Sequence, residues 1–579
     1  MTAIAGRVTG SEEDWAARMM WFRRQLVEFD RQLVSLDRHA DQFELQLTFM
    51  YRQFVREGPA VLGPRTTGPG LPGTDNLDSG NAALPPPSGL VQGLRDCLNR
   101  PADLRVYAGP EAEASLAGAV AAYWNHVLRP SRPATPNQVT VGAGTVNLWD
   151  GLIRQYLRPA DGVVVATPTY GFFLPHVSRA GGVPIAIPTR GGLLDPEQLV
   201  GAVLDFDATG RRDWRRRGGP DRLRHKLEER LTPAEAATLV AEFEAAVEQG
   251  CDPEAITRRL ISVISEFDLD LDLDPDWMAR EANSHAPPRA SMLLHLNPTL
   301  NGAIYGRKLT RALMATATRL ELRVVEDLSY FPVRTADADI VSVREFVPRS
   351  ISLLGVSKVL GIADLRVGMA VADQQDGLAL MRRVENSVGF VPRFVQRGLA
   401  RQLADLAGVD QFIAESDAVY EARLELLIHC LGASDAGAAP HTSARVQTST
   451  LRSAARLVGD RAEVDALVKR FLTGRLADYL GLDSYPAAGF FALLDCSAAI
   501  DVLRSAGVGE IQDSFGLAAF LAHFAGVRTI SSAVADTNVG AAPPLLRVSF
   551  SVNEDTLVTS LFYVYVLIDC TAAGGASTR

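Results

Sequence analysis

The residues best suited by type to do chemistry lie in one stretch, SISLLGVSKVLGIADLRVG, at positions 350–368. An apolar, β-branched run leads through Gly355 and Ser357 to a single lysine, Lys358, and Arg366 follows eight residues later. A lysine just past a strand end sits at the rim of a sheet. Apolar surroundings there lower its pKa and favour the neutral amine that condenses with an aldehyde. A nearby arginine can hold a phosphate bidentately. Together they fit a phosphorylated aldehyde, while the alternative is a surface loop with a solvated lysine; this segment alone leaves both open.

Two other places carry chemistry. Val139–Val141 reads as a short strand that ends in Gly142-Ala143-Gly144 and feeds a helical pattern running to Leu157. Small residues between a strand and a helix N-terminus let backbone N–H groups approach an anion, although many such turns only connect elements. Arg547 lies inside an apolar strand, Leu-Arg-Val-Ser-Phe. Burying it requires an anionic partner, either an internal carboxylate or one brought from outside.

The elements that must position these groups alternate between strand and helix from Gln138 onward, which predicts an α/β domain with a mostly parallel sheet flanked by helices. Strands are expected at 163–166, 183–187, 292–296, 322–326, 351–354 and 367–372. Residues 1–75 form a separate arm and linker. Apolar residues there follow a heptad spacing from Trp15 to Phe54, which predicts a helix roughly 60 Å long that packs on a partner subunit or on its own domain. Residues 76–125 are a lead-in segment contributing to a smaller α+β domain, 126–397 the large domain, and 398–579 the rest of the small domain. A helical insertion at about 206–288 interrupts the large domain. It carries Arg211, Arg212, Arg215, Arg216 and Arg217 and a capping box at Thr232 and Glu235. The arginine run reads as a solvated face, with a phosphorylated or otherwise anionic ligand as the alternative. The aspartates at 268, 270, 272 and 274 lack the glycine and glutamate of a calcium loop, so no metal is expected.

With 579 residues, 47% of them hydrophobic, the chain can bury a large core. A net charge of -10 argues against general nucleic-acid or anionic-membrane binding. The five cysteines are odd in number and widely spaced, as expected in a reducing, cytoplasmic setting. No basic start followed by an apolar run marks a signal peptide, and the apolar run Leu561–Ile568 is short for a membrane span.

Several segments, taken in order, carry a resemblance. They are VGAGTVN at 141–147, ATPTYGFF at 166–173, LNPTLNG at 296–302, VVEDLSY at 324–330, SKVLGIADLRVG at 357–368 and Arg547. Upstream come GNAALPPPSGLVQGLRDCL and VYAGPEAEASL. Together they resemble the class I/II aminotransferase family of pyridoxal 5′-phosphate (PLP) enzymes, fold type I, in an enlarged and divergent form. The resemblance implies that Lys358 holds PLP and then serves as base and acid. It implies that Asp327 pairs with the pyridine nitrogen, that Tyr330 and an asparagine, Asn297 or Asn301, donate to the ring's phenolic oxygen, and that Tyr170 stacks on the ring. Phosphate would be held by Gly142, Ala143, Gly144, Ser357 and Arg366, and the substrate carboxylate by Arg547. Tyr107 would reach a cofactor in the neighbouring subunit of a homodimer or larger homo-oligomer.

Three departures stand out. Gly355 replaces the serine or threonine usual three residues before the lysine, LNPTLNG aligns imperfectly, and Lys358 and Arg547 are unusually far apart in sequence. The implied activity is that of a PLP-dependent enzyme acting on an α-amino acid through an external aldimine, most simply an aminotransferase. Open alternatives are a lyase or bond-forming enzyme, working on S-adenosylmethionine as in aminocyclopropane-carboxylate synthases or as an aspartate 4-decarboxylase. A second, anionic substrate would give the arginine run a role. The non-enzyme alternative is an aminotransferase-like binding or regulatory protein, which would need a DNA-reading module that the heptad arm does not provide.

Overall fold

The computed structural model describes residues 77–577, apart from 101–104, 106–113, 250–255, 264–283, 433–439, 532–542 and some isolated single or paired positions. The heptad arm, Tyr107 and the aspartate run therefore lie outside the described residues.

Seven strands form the large sheet: β1 (Val139–Gly142), β2 (Gly162–Thr167), β3 (Val183–Pro188), β4 (Ala290–Leu296), β5 (Arg323–Asp327), β6 (Ile351–Leu354) and β7 (Gly368–Val371), in the order β1-β7-β6-β5-β4-β2-β3. The five strands β2 to β6 run parallel, while β7 is antiparallel to both its neighbours. The sheet is thus mostly parallel, as the alternating pattern predicts, with each expected strand present within a residue or two. Runs such as Val163-Val164-Val165 are fully buried because helices cover both faces.

This topology decides what meets at one edge. Strands β2, β4, β5 and β6 all end there, and since β7 runs backward, β1 ends there too, with Gly142 opposite Gly368. Lys358 follows the exit of β6 and Arg366 precedes the start of β7, so the lysine segment turns over at that edge. The turn after β1 is close-packed. Gly144 has φ 86° and caps the helix Thr145–Tyr156, and a Cβ at Gly368 would fall 2.6 Å from Gly144 C and Thr145 N. Trp149 on that helix is fully buried, donates Nε1–H to Phe173 O at 2.9 Å and meets the Phe173 ring edge-on at 5.4 Å, fixing the segment that follows β2.

The second sheet is antiparallel: β8 (Gly481–Leu482), β9 (Phe491–Asp495), β10 (Ile530–Ser531) and β11 (Leu545–Ser549), in the order β10-β11-β9-β8. Helices 406–431, 440–457 and 554–577 pack together beside it. The last of these contains a stretch, Glu554–Ala573, long and apolar enough to cross a membrane, whereas the sequence suggested only a short run. Some 67% of its most apolar window is buried inside the protein, as in a core helix. The helix Arg393–Ala404 crosses the expected domain boundary at 397/398 and packs on helices Ser88–Leu98 and Ala114–Leu128, with Gly93 and Gly398 allowing close contact.

The insertion does not begin at a break near 206. A single helix of 21 residues, Pro196–Arg216, capped by Asp195, runs straight through that position. Trp214 at its far end joins Leu223, Leu227, Leu239 and Phe243 in a core separate from that of the sheet. Thr232 and Glu235 form the expected capping box of helix Pro233–Glu248. The arginines are engaged locally, Arg215 with Glu248 and Arg216 with Asp213 at 3.1 Å.

Gly368→Ala places a methyl against backbone that cannot give way. We expect a loss of about 1–3 kcal/mol, seen as a lower melting temperature, whereas Gly201→Ala, which meets nothing within 4 Å, should leave melting unchanged or raise it.

Candidate active site

Lys358 is the centre of the edge described above. Its Nζ donates to the carbonyl oxygen of Gly80 on the lead-in segment. Burial pushes its pKa down from 10.5 to about 8, and the positive charges of Arg547 and Arg366 push the same way. The sequence argument for a neutral amine thus has a physical basis in desolvation.

Asp327 ends β5 and is 4% exposed. Burial raises its carboxyl to about 6, against the opposing pull of two hydrogen bonds from Ser329, the hydroxyl at 2.6 Å and the N–H at 3.0 Å. No cation contributes to that balance among the described residues. Tyr330 is buried, its ring edge-on to Phe490 and Phe491 at 5.7 and 5.6 Å, and burial holds its hydroxyl well above the usual tyrosine range.

Arg547 on β11 is 8% exposed. Its Nη2 donates to Asp78 O at 2.7 Å, and its guanidinium lies over Phe491, 4.2 Å from the ring centre. Leu77 O in turn accepts from Ser549 N at 2.7 Å, so the lead-in segment is laced to β11. Tyr170, half-buried, packs against Phe172 and Phe173. Arg366 is exposed, with a left-handed backbone at φ 49°, and its Nη2 lies 2.9 Å from where a Cβ on Gly144 would project. That glycine leaves the guanidinium beside the helix N-terminus. Ser357 lies half-buried next to Lys358, its carbonyl accepting from Ile362 N. Ala143 N donates to the Asn147 side chain at 3.0 Å, so one amide of the turn is already used.

The two asparagines are both committed within the protein. Asn297 exchanges two bonds with the Tyr305 backbone, Nδ2 to O at 3.2 Å and N to Oδ1 at 3.1 Å. Asn301 accepts from Thr299 and donates to Ser484 Oγ at 3.2 Å, linking the loop after β4 to the loop after β8. The structure gathers the remaining expected groups of the described chain on this edge.

Sequence reasoning missed Ser329, Phe491 and the two carbonyls of the lead-in segment. Ser329 was visible in principle, since an aspartate side chain often accepts from the backbone N–H two residues on, as Asp327 does here. Phe491 was not, because only the register of β9 with β11 brings it to Arg547.

Residues 74–208 and 270–508 match the sequence pattern of the family described as Aminotransferase class I and II, which is more than half of the chain. The chain belongs to that family. The unmatched stretch between the two parts falls within the helical insertion. Among curated relatives, Aminotransferase verI of Clonostachys rogersoniana is 34% identical over 75 residues, a stretch spanning 13% of this chain and 17% of that protein. The fold is similar to that of a Thermus thermophilus aspartate aminotransferase mutant, with a TM-score of 0.58 at 17% identity, covering 90% of this chain and 96% of that one. It is also similar to N-succinyldiaminopimelate aminotransferase from Mycobacterium tuberculosis, with a TM-score of 0.56 at 16% identity, covering 86% and 94%. The chain is thus an aminotransferase-like member of a PLP-dependent family, of fold type I.

The residues present fit that cofactor. Among the described residues Asp327 is a buried carboxylate without a cationic partner, which a protonated ring nitrogen would supply. Gly144 keeps a space free of Cβ between Arg366 and a helix N-terminus, which suits a phosphate.

In the PLP-free protein, covalent attachment at Lys358 needs the neutral amine, so its rate is expected to rise with pH and reach half-maximum near the lysine's pKa of about 8. Arg547→Gln removes a positive charge that lowers this pKa, and the midpoint, read from the growth of the visible absorption band, should move to higher pH.

Proposed function

We propose that this chain is an aminotransferase that takes an α-amino acid whose carboxylate Arg547 holds. The observation that carries the reading is the pairing of Lys358 and Arg547 on one short segment: Nζ donates to Gly80 O and Nη2 to Asp78 O. Two residues of extended chain reach at most roughly 7 Å, so the amine and the guanidinium address neighbouring positions of one segment, as a site for the adjoining carbon and carboxylate of a small amino acid requires.

When bound, PLP would supply an electron sink for the charge left on a substrate carbon. Lys358 would hold it covalently, with Arg366, Ser357 and the 142–144 turn toward its phosphate. Asp327 would face its ring nitrogen, Tyr330 its phenolic oxygen and Tyr170 its ring. The chain's own part follows from burial. Arg547 fixes the carboxylate, with Phe491 backing the guanidinium. Lys358, an amine held near neutrality, can take a proton from a carbon and return it to a neighbour. Asp327, kept ionised by Ser329 against its burial, holds positive charge at the ring. Assembly as a homodimer is part of the same reading, with Tyr107 as the residue expected to cross between subunits.

The purified protein is expected to show a visible absorption band that Lys358→Ala abolishes, and to move an amino group from an amino acid to a keto acid. Arg547→Ala should raise KM for the amino acid by about 30-fold or more, the cost of losing one side of a buried charge pair. Release of ammonia or carbon dioxide without amine transfer would overturn the aminotransferase reading in favour of a lyase. Mixing Lys358→Ala with Tyr107→Phe chains should restore part of the lost activity if sites are shared, and no recovery would argue against sharing.

A further inference from the structure

We propose that Ser329 is a positioning residue of the cofactor site, holding Asp327 in its working orientation and occupying the space that Gly355 leaves empty. The inference rests on the reading that Asp327 faces the cofactor ring, and it concerns a residue to which neither the family match nor the sequence motifs gave a role.

Both donors of Ser329 fall on the same carboxylate oxygen, Oδ1, at 2.6 Å from the hydroxyl and 3.0 Å from the N–H. No described residue donates to Oδ2, so that oxygen is left for an incoming N–H. Ser329 Oγ also lies 3.5 Å from Thr145 Oγ1, the first residue of the helix whose N-terminus forms the proposed phosphate cradle. The serine therefore stands between the two ends of the site.

The glycine explains the exchange. A Cβ at Gly355 would fall 2.7 Å from Ser329 Oγ, 3.0 Å from its Cβ and 3.1 Å from its Cα. A side chain at 355 and the Ser329 hydroxyl in its present position exclude each other. The departure at 355 is thus more than the loss of one phosphate ligand, because it clears room for a hydroxyl that serves the aspartate. Hydrogen bonds from Ser329 favour the ionised carboxylate and offset part of the burial that holds Asp327 at about 6. Without them, Asp327 takes up its proton at a higher pH and ceases to match a protonated ring nitrogen.

The test measures noncovalent PLP affinity against pH in the full-length chain, with Lys358→Ala as the parent so that the lysine's own titration does not enter. Affinity in the parent should fall on acidification through the Asp327 pKa. Adding Ser329→Ala should move that fall upward by about one pH unit and weaken binding about tenfold at neutral pH, as expected for one hydrogen bond to a charged group. Gly355→Ala should also weaken binding about tenfold, by overpacking. The exchange Ser329→Gly with Gly355→Ser should recover part of that affinity while keeping the upward pH shift, an outcome that general loss of packing would not produce. An unchanged pH profile in both variants lacking Ser329, or Gly355→Ala binding as tightly as the parent, would overturn the inference. Absence of PLP binding in the otherwise unmodified chain would instead overturn the cofactor-site reading on which it rests.

Discussion

Desolvation at the edge where β5 and β6 end sets the chemistry of everything around it. The same loss of water acts in opposite directions on an acid and a base, raising Asp327 from 3.8 to about 6 and lowering Lys358 from 10.5 to about 8. For both groups burial is the largest cause, with charges and hydrogen bonds correcting it. The corrections are selective. Arg547 and Arg366 add to the effect on the lysine, while Ser329 opposes the effect on the aspartate. An acid still able to ionise near neutral pH and an amine able to lose its proton there thus follow from one cause at the same sheet edge.

Keeping that edge dry is a packing problem that much of the molecule helps to solve. Phe490 and Phe491 line one side, with Tyr420 stacked on Phe490 at 5.1 Å. The Tyr420 hydroxyl accepts from Ala83 N at 2.9 Å, which pins the lead-in segment where Gly80 and Asp78 meet the lysine and the arginine. Trp149 packs edge-on against Phe173, and Phe173 in turn meets the Tyr170 ring. The small domain therefore does more than carry Arg547. It supplies aromatic surface that substitutes for water and one strand edge, at Ser549, that holds the lead-in chain in place.

What the sequence made legible was local. Strand ends, the small-residue turn after β1 and the lysine segment are written in consecutive residues, and periodicity finds them without knowledge of the fold. The contacts that complete the site are not local. Arg547 meets Asp78 across 469 positions, and Lys358 meets Gly80 across 278. The relation between Ser329 and Gly355 depends on the register of β5 with β6 and on a clearance of a few tenths of an ångström, which no spacing reveals. Asn297 shows the converse. Its residue type and motif point to a ligand, yet both ends of its amide are engaged with the Tyr305 backbone, so its type alone could not decide its partners.

The insertion was the hardest part to read, and its position in the fold bears on the substrate. The helix Pro196–Arg216 starts near the site, where Leu194 N donates to the Tyr305 hydroxyl at 2.7 Å. It then runs toward the opposite edge of the sheet, and Asp207 there accepts from the N–H of Ala290, the first residue of β4, at 2.6 Å. Arg211 to Arg217 therefore come after the point where the chain has reached the start of β4, while Asp327 and Lys358 sit at the strand ends. A strand of seven residues separates the two edges, roughly 20 Å at the usual rise. That distance, together with the local pairing of Arg215 and Arg216, removes the reason for giving the arginine run a second substrate to hold. The insertion leaves and rejoins the large domain away from the chemistry, and its separate core around Trp214 and Phe243 lets it do so without disturbing the sheet that positions Asp327 and Lys358.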